Sequence, residues 1–224
     1  SINYSSKLVF TSSMAVYGEQ QPPFTEDLRP MPIDPYGVAK YSVEVDLKLA
    51  GDQFGLRYNI VRPHNVLGKY QNIWDRYRNV IGIFIRKAIT GNPLLVYGDG
   101  EQTRAFSDIK YYMKPFDKLL TEYDGEIFNI GADKYFTINQ AAETVKQVAQ
   151  KYGYDAKIHH VEARHEVKHA YCDHTKAKTM LNFVDETELE PLINSMFEWA
   201  MKQPNRNVRN MEYEVTKDIY DYWK

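Results

Sequence analysis

Short apolar runs alternate along the chain with longer stretches whose apolar positions recur every three or four residues. Lys7-Leu8-Val9-Phe10-Thr11-Ser12-Ser13 begins apolar and ends in small hydroxyl residues, the pattern of a buried strand running into a loop. A Pro-rich loop follows from Gln21 to Pro35. Asp34-Pro35 then opens a helix, with Asp as N-cap and Pro at the first helical position, and Gly55 stops it after Phe54. Tyr58 to Pro63 reads as a second strand. Asn79 to Thr90 reads as a helix closed by Gly91, Leu94 to Tyr97 as a strand, Gly98-Asp99-Gly100 as a turn and Ile127 to Ile130 as a core strand.

Thr137 caps the clearest helix, with Gln140 completing a capping box and Ile138, Ala141, Ala142, Val145, Val148, Ala149 and Tyr152 on one face. Thr187 and Glu190 repeat the pattern before Leu189, Leu192, Ile193, Met196, Phe197 and Ala200. The flanks of the His-rich segment, Ala156 to Val161 and Ala170 to Cys172, look extended. From about Asn205 the chain reads as a polar and aromatic surface tail. Strands alternating with helices predict an α/β fold with a largely parallel sheet.

Composition narrows the function. The 224 residues suffice for one substantial domain, and 43% apolar with 26% charged residues favours a packed core over disorder. A formal charge of −2 gives no basic excess for holding a nucleic-acid backbone. One cysteine, Cys172, excludes an internal disulfide framework. No apolar stretch reaches membrane-span length and no signal-peptide pattern opens the chain, so the expectation is a cytoplasmic protein with no membrane or nucleic-acid partner. The chain begins at Ser1 rather than Met.

The sharpest candidate chemistry is Tyr36 and Lys40. A spacing of four on a helix places both on one face, and an ammonium beside a phenol favours the phenolate, which suits acid–base work. Ser13, at a strand end, is placed to hydrogen-bond the same substrate oxygen. Each residue also has an ordinary structural use: strand-end hydroxyl, helix-face pair, turn cap or surface ion pair.

Taken in order, Phe10-Thr11-Ser12-Ser13-Met14-Ala15-Val16-Tyr17-Gly18, Pro35-Tyr36-Gly37-Val38-Ala39-Lys40, Arg62-Pro63-His64-Asn65-Val66-Leu67-Gly68, Gly98-Asp99-Gly100-Glu101-Gln102-Thr103-Arg104 and Asn129-Ile130-Gly131 resemble the extended short-chain dehydrogenase/reductase family. The nearest likeness is to nucleotide-sugar epimerases of the UDP-glucose 4-epimerase type. The resemblance runs to about residue 200. It implies the C-terminal part of a Rossmann-type parallel sheet (about 1–68 and 105–150), a smaller mixed α/β substrate lobe (about 69–104 and 151–204) and a tail (205–224).

The resemblance further implies bound NAD, a UDP-sugar substrate and 4-epimerisation by hydride transfer through a 4-keto sugar. Ser13, Tyr36 and Lys40 would be catalytic, with Tyr36 as the acid/base. Ser12, Tyr36, Lys40, Pro63 and His64 would lie against the cofactor. Asn65, Asn79, Val80, Tyr97, Arg104, Arg164, Glu166 and Tyr171 would hold the sugar nucleotide, with Tyr97 stacking on the base, the two arginines pairing with the diphosphate and Tyr171 limiting sugar size. A homodimer is implied as well.

Two departures shape the expectation. Met14 and Ala15 stand where dehydratases of this family carry an Asp-Glu pair, which favours epimerisation over elimination of water. The Gly-rich strand–turn–helix that cradles the NAD pyrophosphate in this family is absent from these residues. The first strand here corresponds to one near the middle of the usual sheet. The expectation is therefore an open sheet edge that needs a preceding segment or a complementing chain, and little activity or tight NAD binding without it.

Two rival readings remain. His165-Glu166-Val167-Lys168-His169 spells H-E-x-x-H, which on a helix places two imidazoles on one face for zinc, with His159, His160 or His174 as a third ligand; the expectation is no metal. The other rival is a non-catalytic nucleotide-sugar-binding or assembly module.

Overall fold

The computed structural model describes residues 6–74, 79–164, 166–204 and 206. The expected tail, from 205 on, lies outside the described residues apart from Arg206. A three-stranded parallel sheet forms the first half of the fold. It comprises β1 (Leu8–Thr11), β2 (Tyr58–Pro63) and β7 (Glu126–Ile130), in the order β1-β2-β7. Leu8 lies opposite Tyr58, and Ile60 opposite Ile127.

Alternation along β2 divides the layers. Tyr58, Ile60 and Arg62 face α1 (Pro35–Phe54), where Tyr58 and Ile60 pack with Leu47 and Phe10. Asn59 and Val61 face the opposite layer of α3 (Met113–Thr121) and α5 (Thr175–Leu181), where Val61 packs with Leu119, Phe128, Ala177 and Leu181. Asn59 closes α3, its side-chain amide donating to the carbonyls of Leu119 and Tyr123 at 2.9 Å each.

The second half is a helical cluster. α2 (Val80–Ile89), α4 (Ile138–Lys151) and α6 (Leu189–Met201) enclose Phe84, Val145, Ile193 and Phe197 with β4 (Leu94–Tyr97), which pairs in parallel with β9 (Ile158–Val161). This packing crosses the division expected from the sequence: α4 belongs with α2 and α6, whereas α5 packs on β7. Two small pairings lie between the halves. β3 (Val66–Leu67) runs parallel to β6 (Ser107–Asp108), and β5 (Thr103–Ala105) lies between β8 (Tyr135–Thr137) and β10 (His169–Ala170).

Caps formed where short polar residues precede apolar faces. Asp34 accepts the Gly37 N–H at 2.6 Å, Asn79 accepts that of Gly82 at 3.1 Å, and the Thr137–Gln140 box is complete. Thr187 does not cap α6 as expected. Its hydroxyl donates to Asp185 at 2.6 Å and accepts the Asp108 N–H at 3.1 Å, so the helix begins after Glu188 without a side-chain cap. No described helix is long and apolar enough to cross a membrane.

Candidate functional site

The C-terminal ends of β1, β2 and β7 point the same way, the end of an open parallel sheet where ligands gather. A cavity of about 350 Å³ lies there. Ser13, Met14 and Ala15 line it after β1, His64 and Asn65 after β2, and Asp34 at the start of α1. Arg104, Glu166, Val167 and Ala170 close the far side.

Ser13 caps a 3-10 turn over Met14–Tyr17 by accepting the Ala15 N–H at 3.2 Å, which leaves its own proton free to donate. The first turn of α1 is seated on this loop. A Cβ at position 37 would lie 2.7 Å from the Ala15 carbonyl oxygen, so glycine is what allows the approach. This close contact brings Tyr36 and Lys40 beside the strand end. Lys40 Nζ donates to the Thr11 carbonyl at 2.8 Å and lies 5.7 Å from the centre of the Tyr36 ring and 5.1 Å from that of Phe10. Tyr36 is 57% exposed; it and Lys40 flank the cavity rather than wall it.

Behind this surface runs a buried polar chain that sequence reasoning missed. Arg62 Nη1 donates to the Tyr17 hydroxyl at 2.8 Å, which donates in turn to Asn129 Oδ1 at 2.8 Å. Asn129 donates through its side chain to the Phe24 carbonyl at 3.0 Å and through its backbone to Glu26 at 2.8 Å. Burial raises the Tyr17 phenol far above its ordinary range, so it remains a neutral hydrogen-bonding link. A Glu eight residues after Tyr36 on the same helix, and an Arg two residues after Ile60 on the same strand face, were the signals available in the sequence.

The far wall is charged. Glu166 accepts Arg104 Nη2 at 3.0 Å, Arg164 Nη2 at 3.4 Å and the Gln102 amide at 3.1 Å. Burial lowers the Arg104 pKa from its usual value. Arg164 also lies over the Tyr97 ring, 4.5 Å from its centre. Asn65 adopts a left-handed backbone (φ 42°) and donates to the Ala105 carbonyl at 3.0 Å.

Several expected residues lie elsewhere. Asn79, capping α2 just before Val80, borders a separate depression with Gly68, Lys69 and Tyr70. Tyr171 does not enter the cavity: its ring stacks on Tyr135, centres 4.8 Å apart, and Ala170 occupies the wall instead. Ala170 ends β10 and Tyr171 follows it in extended backbone, where neighbours point to opposite sides, so a shift of one residue changes the outcome.

Residues 166–169 of the H-E-x-x-H segment are not helical. His169 lies in β10, hydrogen-bonded through Nδ1 to the Thr103 hydroxyl at 3.0 Å, and His165 is outside the described residues. Among the described residues no group of His, Cys, Asp and Glu is placed to hold a metal.

The residues present fit a dinucleotide's ribose and nicotinamide end. Ser12 Oγ is buried at the end of β1 with no partner, and Lys40 retains two N–H donors beyond its bond to Thr11. Hydroxyl groups of a bound cofactor would satisfy both.

The family model described as "NAD dependent epimerase/dehydratase family" matches residues 2–131. A Methanocaldococcus jannaschii protein named "Putative UDP-glucose 4-epimerase" is 33% identical over 203 residues, covering 89% of this chain and 64% of its own length. A Bacillus cytotoxicus UDP-N-acetyl-alpha-D-glucosaminuronate decarboxylase is 31% identical, covering 89% of this chain and 65% of its own. Among solved structures, the UDP-glucose 4-epimerase of Thermotoga maritima with UDP-glucose superposes with a TM-score of 0.81 at 31% identity, over 90% of this chain and 65% of that one. The chain thus spans just under two thirds of the length of these relatives.

Proposed function

Because the chain belongs to the NAD-dependent epimerase/dehydratase family, we propose that it forms the catalytic and sugar-binding part of a nucleotide-sugar 4-epimerase acting on a UDP-hexose. The observation that carries this reading is the placement of Lys40 on the Thr11 carbonyl and near the Tyr36 ring, beside a cavity whose wall begins at Ser13.

Tyr36 takes the proton of the sugar 4-hydroxyl and returns it. Lys40 supports the phenolate by its positive charge and holds ribose hydroxyls with its remaining donors. Ser13 donates to the sugar 4-oxygen. Ser12 and Lys40 hold the cofactor's ribose side, and Pro63 and His64 form the surface against its ring. When bound, NAD supplies a hydride acceptor and donor at the sugar C4. Arg104 and Arg164 meet the diphosphate as planar forks, with Glu166 holding both in position until an anion competes for them. Asn65 supports the same end of the ligand.

The cavity chemistry favours epimerisation over elimination. The residues after Ser13 are Met14 and Ala15, which offer no acid or base. The two carboxylates in the wall are committed, Asp34 to the Gly37 N–H and Glu166 to its arginines and Gln102. The stacking of Tyr171 on Tyr135, with Val167 and Ala170 lining the wall beside it, supports a pocket in which Ala170 rather than Tyr171 meets the sugar.

Partners follow from two uncovered surfaces. Among the described residues β1 pairs only with β2, and α1 exposes Val38, Val45, Leu49 and Phe54. A further strand-bearing segment or chain would complete the sheet at β1, and a second copy would cover α1.

Tyr36→Phe in the full-length protein tests the reading. UDP-glucose and UDP-galactose interconversion in the presence of NAD should fall by about 100-fold or more, with UDP-glucose affinity measured by calorimetry held within about two-fold. Undiminished interconversion, or loss confined to binding, overturns it.

A further inference from the structure

The end of β2 and the cap of α5 each bring an imidazole into the interior, and both His64 and His174 are almost wholly buried. Their Nε2 atoms are 2.8 Å apart. The ring centres are 5.0 Å apart and the planes differ by 15°, so the rings meet edge to edge, the lone pair of one nitrogen facing the N–H of the other. On the outer side His174 Nδ1 meets Asp133 Oδ1 at 3.0 Å, and Asp133 Oδ2 accepts Lys178 Nζ at 2.7 Å. Asp133 and Lys178 are both nearly half exposed. On the inner side His64 lines the cavity, and its Nδ1 is buried without a hydrogen-bond partner. Gly131 presses on this ring: a Cβ there would sit 2.0 Å from His64 Nε2.

Proton counting fixes the roles. The bonds from His174 and Lys178 hold the Asp133 carboxyl down at about 2, so it is an acceptor and His174 Nδ1 carries a proton. With His174 neutral, its Nε2 accepts, His64 Nε2 donates, and His64 Nδ1 is a bare acceptor. With one more proton on the pair, His174 carries both of its own, His64 Nε2 becomes the acceptor and His64 Nδ1 bears the hydrogen.

We propose that His64, His174 and Asp133 form a proton relay between the cavity wall and solvent, switching His64 Nδ1 between acceptor and donor. A proton released by a hydroxyl or N–H of a bound ligand enters at His64 Nδ1. The His64 Nε2 proton crosses to His174, and the charge rests beside Asp133. The His174 Nδ1 proton then leaves through the carboxylate to water, so one proton enters and one departs.

The surroundings agree. Burial, and then the neighbouring His174, push His64 down to about 3, so His64 passes a proton on without itself holding the charge. The Ala105 carbonyl favours a proton on the His64 ring without a bond of ordinary geometry. Of the other ionisable groups nearby, Asp185 accepts the Asp133 N–H at 3.0 Å and Asp173 accepts from Thr175. Tyr112 and Cys172 are raised by burial and stay neutral. The relay rests on hydrogen bonds alone, goes beyond the epimerase reading and can be tested without turnover.

The test is long-range ¹H–¹⁵N NMR of the imidazoles in the ¹⁵N-labelled protein across pH 4 to 9, assigned with His174→Asn and with Asp133→Asn at its half-exposed site. At high pH His64 should carry its proton on Nε2 and His174 on Nδ1. As the pair takes up a proton on lowering the pH, His64 should change to the Nδ1–H form at a single midpoint. Asp133→Asn, which removes the carboxylate at the outer end, should move that midpoint to lower pH. A single His64 tautomer throughout, double protonation of His64 itself, or an unmoved midpoint in Asp133→Asn overturns the relay.

Discussion

Arg62 and Glu44 join the sheet to α1 through a two-pronged ion pair, Nε to Oε1 at 3.0 Å and Nη2 to Oε2 at 2.6 Å, with side chains 2% and 4% exposed. Glu44 stands one helical turn beyond Lys40 and two beyond Tyr36, so the pair fixes which face of α1 turns to the strand ends. Glu44→Gln leaves a guanidinium buried without its counter-charge and should cost about 3–5 kcal/mol in urea unfolding. The double change Glu44→Met with Arg62→Met should lie closer to wild type than either single change. Equal or greater loss in the double variant would show that the charges are not what the pair contributes.

Ala170 and Tyr171 should behave oppositely. Ala170→Phe fills the cavity wall and should weaken UDP-sugar binding about ten-fold or more in calorimetry. Tyr171→Leu loses a stacked ring, worth about 0.5–1.5 kcal/mol of stability, and should leave affinity unchanged.

Glu26 sets a pH dependence of stability. Burial raises its carboxyl above the ordinary value, and the Asn129 N–H offsets only part of that. A raised carboxyl favours folding while protonated, and that advantage is lost as pH rises through its folded pKa. Glu26→Gln keeps an oxygen for the Asn129 N–H and should therefore raise the urea midpoint at pH 7, with the gain shrinking towards pH 4. An equal gain at both pH values would assign the effect to packing instead.

The apolar side of α1 is the surface proposed for a second copy. Leu49→Glu, at a position 49% exposed, should shift the sedimentation equilibrium towards monomer while leaving the thermal midpoint of the monomer within about 2 °C. An unchanged molecular weight would exclude this face from self-association.

Elements with clear end signals or an apolar run were legible in the sequence: α1 between Asp34-Pro35 and Gly55, α4 behind Thr137 with its apolar rhythm, and β2 as an apolar run before a proline. The short pairings β3–β6 and β5–β10 were not, because two- and three-residue strands carry too few alternations to reveal a period. Thr187 looked like a cap because the pattern sees only Thr and Glu; Asp185 and the Asp108 N–H, which claim its hydroxyl, become neighbours only on folding. The Tyr36–Lys40 adjacency followed from helical spacing. The Arg62–Tyr17–Asn129 chain did not, since it joins three separate elements, and neither did the His64–His174 contact, between residues 110 positions apart.

The two borders of the main sheet differ. At β7 the Glu26 carboxyl accepts the backbone N–H of Asn129, and the Phe24 carbonyl accepts the Asn129 side-chain amide. At β1 the Thr11 carbonyl is taken by Lys40 Nζ at 2.8 Å. A segment laid along β1 would therefore meet an ammonium at that border and one laid along β7 a carboxyl group, so the two borders select for different neighbours.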